Sequence, residues 1–169
     1  MFTDPTGMIQ DGGEDHWEIR DGKAHLIDTK EDDIFVKNEG DKEFKKLSEV
    51  DFTNNQNAAK DIVSYYSSEY SLSSFNGGDF DLEPGYFSSK EAKARAGYKR
   101  NSAMWVKATF IPERLFSNQK LDIEGKFDLT AGKFSSLLNN KFNMRNAIGH
   151  EYKHFLDYLG IRSQVNLGV

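Results

Sequence analysis

The chain of 169 residues has no cysteine. Disulfides and thiolate metal sites are therefore excluded. The absence leaves the compartment open, because a cysteine-free chain tolerates reducing and oxidising surroundings alike. Apolar residues are scarce too, at 37%, which is low for a globular chain. No apolar run approaches the length of a membrane-spanning helix. The first residues, Met1-Phe2-Thr3-Asp4-Pro5, have neither a basic n-region nor an apolar h-region, so they are not a signal peptide. Positive charge is also short: 22 Lys and Arg against 27 Asp and Glu give a net charge of −5. A protein that grips nucleic acid without sequence preference needs a basic face for the phosphates, and this balance argues against one. The exception is a local basic stretch over residues 90–100, read as a solvated loop or short helix.

Aromatics are plentiful at 13%, with 13 Phe, 7 Tyr and 2 Trp. A core rich in aromatic rings is expected, with the polar excess in loops. The length suits one domain with a real core and a small appendage.

Residues 1–15 are rich in turn formers and read as a linker. His16–Arg20 and Lys23–Ile27 are β-like runs flanking Asp21-Gly22, a strong hairpin signal. Ile34–Val36 predicts a third strand, and residues 37–50 a charged connector. Asn54–Tyr70 reads as a helix with Ala58, Ile62, Tyr65 and Tyr66 on one face and Thr53 or Asn54 as cap. Residues 71–101 are expected to be irregular, with a helix at 88–96. Met104–Ile111 reads as a strand ended by Pro112. Leu121–Leu129 alternates apolar and polar residues, as a half-buried strand bent at Gly125 does. Phe134, Leu137 and Leu138 predict a short helix. A last helix is expected from about Asn143 to Leu159, stopping at Gly160.

That last helix carries His150-Glu151-Tyr152-Lys153-His154. Histidines four apart on a helix lie on one face, one turn apart, as a shared metal ion requires. With Ile148 at zero on the helical wheel, Met144, Tyr152, Phe155 and Leu159 fall within about 40°. His150 and His154 fall at about 200° and 240°, opposite that apolar stripe. Small Ala147 and Gly149 leave room nearby. Glu151 follows the first histidine directly and can act on water at the metal rather than ligate it. A zinc ion there makes a hydroxide-like nucleophile accessible near neutral pH. The plain alternative is a surface helix whose His and Glu are simply solvated.

A catalytic zinc usually takes three protein ligands. Asp157, at about 180° on the wheel, shares the histidine face and is the favoured third ligand or a hydrogen-bond partner of one. His16, His25, Glu113, Asp122 and Glu124 are the upstream alternatives, with His16 and His25 expected at the surface. A peptidase also needs a strand edge to hold an extended substrate, and 104–111 or 121–129 could offer it. Of the nearby hydroxyls, Tyr158 is the best placed for the oxyanion, because Tyr152 points to the apolar side.

The five residues 150–154 resemble the HExxH motif of the zincin metallopeptidases. The resemblance covers about 17 of the 169 residues. It implies Zn2+ held by His150 and His154, with Glu151 as general base. The metzincin glycine and third histidine are missing, as is a downstream glutamate helix of the thermolysin-like kind. A second likeness lies at Asp4-Pro5-Thr6-Gly7-Met8, which resembles the end of the core of RHS-repeat proteins, where a variable C-terminal tip begins. Such tips are often toxins. Together the two imply a metallopeptidase effector from a larger secreted protein, with Met1 at a fragment boundary, and a possible immunity protein as partner.

The expected architecture is therefore α+β and zincin-like. A small mixed or antiparallel sheet packs on an active-site helix, after an N-terminal β-hairpin segment. Residues 1–49 form the linker and hairpin, and 50–169 the metallopeptidase domain. The expected partner is a protein or peptide substrate, with no nucleic acid and no membrane. Two rivals stand: an inactive or truncated zincin-like interaction module, and a toxin of another class, such as a nuclease using a histidine and the 90–100 stretch.

Overall fold

A computed structural model describes residues 15–29, 32–68, 70, 81–85, 103–112 and 119–166. The linker at 1–14, the basic stretch at 90–100, the helix expected at 88–96 and Glu113 lie outside the described residues.

Strand β1 (Asp15–Arg20) and β2 (Lys23–Thr29) form the expected antiparallel hairpin. Its two turn residues, Asp21 and Gly22, both have positive φ, 53° and 77°. This is the twist that a two-residue hairpin turn needs and that Asp-Gly tolerates. Asp15, Trp17 and Ile19 alternate inward along β1. Strand β3 (Ile34–Lys37) runs parallel to β1 and buries Ile34 and Val36, and β4 (Lys45–Lys46) pairs with β3. The sheet order is β2-β1-β3-β4.

Helix α1 (Gln56–Ser67) buries Ala58, Ala59, Ile62, Val63 and Tyr66. It starts later than the sequence indicates. Asn55 is its N-cap residue, with no side-chain cap bond, and Thr53 lies outside the helix, its N–H and hydroxyl both donating to Asp51 Oδ1. It also ends earlier, where the Ser67 and Ser68 hydroxyls donate to the carbonyls of Ser64 and Tyr65 and occupy late acceptors. Tyr65, expected in the core, is 43% exposed. It lies at the rim, packed edge-on to Trp17 with the ring centroids 5.3 Å apart.

The second sheet has the order β5-β7-β6. Strand β5 (Leu82–Gly85) falls inside the stretch expected to be irregular. It is parallel to β7 (Gln119–Asp128), while β6 (Met104–Pro112) is antiparallel to it. Pro84 is tolerated because β5 is an edge strand. Gly125 does not end the β7 ladder: it pairs with Val106 on one side and Leu82 on the other. A Cβ there would lie 2.9 Å from the Asp81 carbonyl oxygen and from Leu82 Cδ2. The glycine is needed for the close approach of β5.

Leu137 and Leu138 lie in a single 3-10 turn, Ser136–Leu138, with Phe134 just before it, rather than in an α-helix. Helix α2 (Lys141–Asn166) follows. Asn140 caps it, its Oδ1 accepting the N–H groups of Phe142 and Asn143. The helix passes through Gly160 instead of stopping there. One interior glycine costs only about 1 kcal/mol relative to alanine, and no proline follows it.

One core joins the sheets and helices: Trp17, Ile34, Leu47, Phe52, Ile62, Phe127, Met144 and Ile148 belong to the same cluster. Residues on both sides of position 50 thus share it. Aromatic stacking is prominent, as the composition indicates, with the Phe127 and Phe134 rings 5.2 Å apart. The architecture is α+β, with two small mixed sheets. Among the described residues no helix is long and apolar enough to cross a membrane.

Candidate metal centre

Helix α2 buries Lys141, Met144, Ile148, Glu151, Phe155 and Leu159. The spacing runs three, four, three, four, four, which is one continuous helical stripe. The N-terminal part of the stripe enters the main core through Met144 and Ile148. The C-terminal part, Phe155 and Leu159 with Tyr152 and Leu156, packs on Val106 of β6 and Ile123 of β7. Glu151 is the polar position between them and is only 7% exposed. On the wheel it lies about 60° from His154 and about 60° from Ile148, so it borders both the histidine face and the core.

His150 and His154 are exposed on the outer face of α2. Their Nε2 atoms are 3.0 Å apart, with ring centroids at 4.6 Å and planes at 83°. Two nitrogens bound to one tetrahedral zinc at about 2.05 Å each would be about 3.3 Å apart. The pair is therefore within a few tenths of an ångström of the spacing a shared zinc needs, and one regular helical turn produces it. Without metal, the same separation lets one imidazole N–H donate to the other ring nitrogen. The residues present fit a zinc ion as a two-nitrogen donor set.

Asp157 is exposed one turn beyond His154. Among the described residues no group of three or more His, Cys, Asp or Glu side chains is assembled, so the structure brings the two histidines together without Asp157. Several upstream alternatives are placed elsewhere. Ile123 packs on α2, so Asp122 and Glu124, both exposed, project from the opposite face of β7. His25 is exposed on β2. His16 is held by Asp28, with Nδ1 2.7 Å from the carboxylate, and lies against Phe35 and Phe44. Tyr158 is half-buried, one turn past His154.

Two features escaped the sequence reading. The first is the burial of Glu151, which its place in the 144-148-151-155 spacing signals. The second is a buried polar cluster at the start of α2. Lys141 Nζ lies 3.5 Å from Asp15 Oδ1, and both side chains are 2% exposed. The Tyr66 hydroxyl donates to Asp15 Oδ2 and accepts from Trp17 Nε1. Burial, then the Asp15 carboxylate, push the Tyr66 hydroxyl far above its ordinary pKa, so it stays a donor. On the other side of α2, the Tyr70 hydroxyl meets Gly149, where a Cβ would come within 2.9 Å. Gly149 therefore makes room for Tyr70 rather than for the metal.

No protein-family model matches the chain, and no curated protein and no solved structure is similar to it. The functional reading rests on the site itself.

Proposed function

We propose that this chain is a zinc-dependent peptidase in which His150 and His154 hold the metal and Glu151 is the general base. The observation that carries the reading is the convergence of the two Nε2 atoms at 3.0 Å, on the helix that also carries Glu151. The HExxH resemblance gives the same three roles, and Asp157 remains the proposed third ligand. When bound, zinc supplies Lewis acidity that polarises a carbonyl and acidifies water. Glu151 takes a proton from the attacking water as the new C–O bond forms, then passes it to the amine as the C–N bond breaks. Its buried position between two packed stretches of α2 restricts its side chain more than solvent would.

The sheet offers a place for an extended substrate. Strand β6 is an edge of the β5-β7-β6 sheet and packs on α2. Among the described residues no strand pairs with its outer side, and a peptide could pair there through main-chain hydrogen bonds. Strand β7 is paired on both sides over Gly125–Phe127, so of the two candidate strands β6 is the better edge. Delivery as the toxic tip of a larger secreted protein, with a cognate immunity protein, is part of the proposal and rests on Asp4–Met8, outside the described residues.

The test is cleavage of a mixed peptide library by zinc-loaded protein, wild type beside Glu151→Gln. The expected result is cleavage by the wild type, at least a hundredfold loss in the variant, and equal zinc content in both. Equal cleavage by both proteins would remove Glu151 from the mechanism, and no cleavage by either would leave an interaction module.

A further inference from the structure

We propose that a second copy of this chain can supply the remaining ligands of the zinc held by His150 and His154, closing the metal in a symmetric, switched-off dimer. The inference rests on the zinc reading above. Zinc takes four donors, and this site brings together two converging nitrogens, with Asp157 not assembled beside them among the described residues. A second histidine pair can therefore take the positions that Asp157 and water would otherwise fill. Both imidazoles stand on the solvent side of α2, not in a cleft of the described residues. A two-fold axis through the metal would add the same pair from a second chain, giving four nitrogens. Such an interface is self-complementary by construction.

The surroundings permit this approach. Asn146, Lys153 and Asp157 are exposed on the same side, and Ala147 is small. The axis passes level with residue 152, midway between the histidines. With the two α2 helices antiparallel, Asp157 of the partner subunit falls level with Ala147 and beside Asn146. No carboxylate opposes it there, and an amide side chain is close by. Ile148, Phe155 and Leu159 of α2 are already buried in the protomer, so they are not available to draw the copies together, and the metal does.

Four nitrogens close the coordination sphere, and a closed sphere has no position for water or a substrate carbonyl. The dimer is therefore inactive, and the zinc-to-protein ratio sets its population. At one zinc per two chains the dimer dominates. Above one zinc per chain, each His pair takes its own ion and the dimer dissociates by mass action.

The test is the solution mass of the full chain across a zinc titration at neutral pH, wild type beside His154→Ala. Chelator-treated protein should run at 19.3 kDa. The mass should double at half an equivalent of zinc and fall back in excess zinc, and the variant should stay monomeric throughout. Saturable binding of one zinc per chain with unchanged mass would overturn this inference while leaving the metal site standing. Absence of zinc binding would overturn both. A dimer that forms in chelator, or that persists in excess zinc, would also overturn it.

Discussion

Replacing Lys141 with methionine should destabilise the protein severely, although the change keeps an unbranched apolar stem only one atom shorter. Lys141 opens α2, and its ammonium faces Asp15 Oδ1 at 3.5 Å with both groups 2% exposed. Among the described residues Asp15 Oδ1 has no hydrogen-bond partner, so the ammonium is its main compensation. Removing one member of a buried ion pair leaves an uncompensated charge and costs about 3–5 kcal/mol. A cation at a helix N-terminus opposes the helix dipole, and deleting it returns less than about 1 kcal/mol, too little to change the sign. For a domain of this size the net loss lowers Tm by roughly 4–20 °C. Asp15→Asn combined with Lys141→Met removes both charges and still leaves an oxygen to accept from the Tyr66 hydroxyl. The double variant should recover to within about 1–2 kcal/mol of wild type. Urea denaturation of the four proteins closes the cycle. A single-variant loss under about 1 kcal/mol, or the absence of coupling in the cycle, would refute the reasoning.

Three smaller predictions concern the frame around the site. Gly160→Ala should stabilise by about 0.5–1 kcal/mol, because the helix passes through Gly160 and none of the described residues lies within 4 Å of the added methyl; lower stability in denaturant melts would contradict a continuous helix. Gly125→Ala should cost about 1–3 kcal/mol, because its methyl would press on the Asp81 carbonyl; an unchanged midpoint would mean β5 is not packed there. The Thr53 hydroxyl and N–H hold the Asp51 carboxyl below its ordinary pKa. Its stabilising contribution is therefore full above the unfolded value of about 3.9 and lost as pH falls through the lower folded value. Asp51→Asn should flatten the fall of Tm with acid below about pH 4, and a parallel fall in both proteins would count against the Thr53 contact.

Local patterns were legible where one rule decides the outcome. Asp21-Gly22 marks its hairpin because few dipeptides accept two positive φ values. The alternation around Ile123 marks β7, and the 3.6-residue period places Met144, Ile148, Phe155 and Leu159 inward and the histidines outward. What was missed depends on distant partners. Thr53 is a good cap by type, but Asp51 engages it. Leu82–Gly85 has a proline and a glycine and no strand pattern, and it becomes a strand because β7 lies beside it. Gly160 resembles a helix stop, yet α2 is held on both sides of Glu151 by packing. Glu151 and Lys141 fit the apolar spacing of α2 but not its chemistry, and a charged residue in a buried stripe is easily assigned to solvent.

The central claim is that His150 and His154 form a metal site, and titration calorimetry of zinc into chelator-treated protein tests it most directly. The wild type should bind zinc saturably at neutral pH, and His150→Ala and His154→Ala should each lose that binding while keeping the wild-type fold by circular dichroism. Wild-type protein that takes up no zinc, or either variant binding as tightly as wild type, would contradict the account.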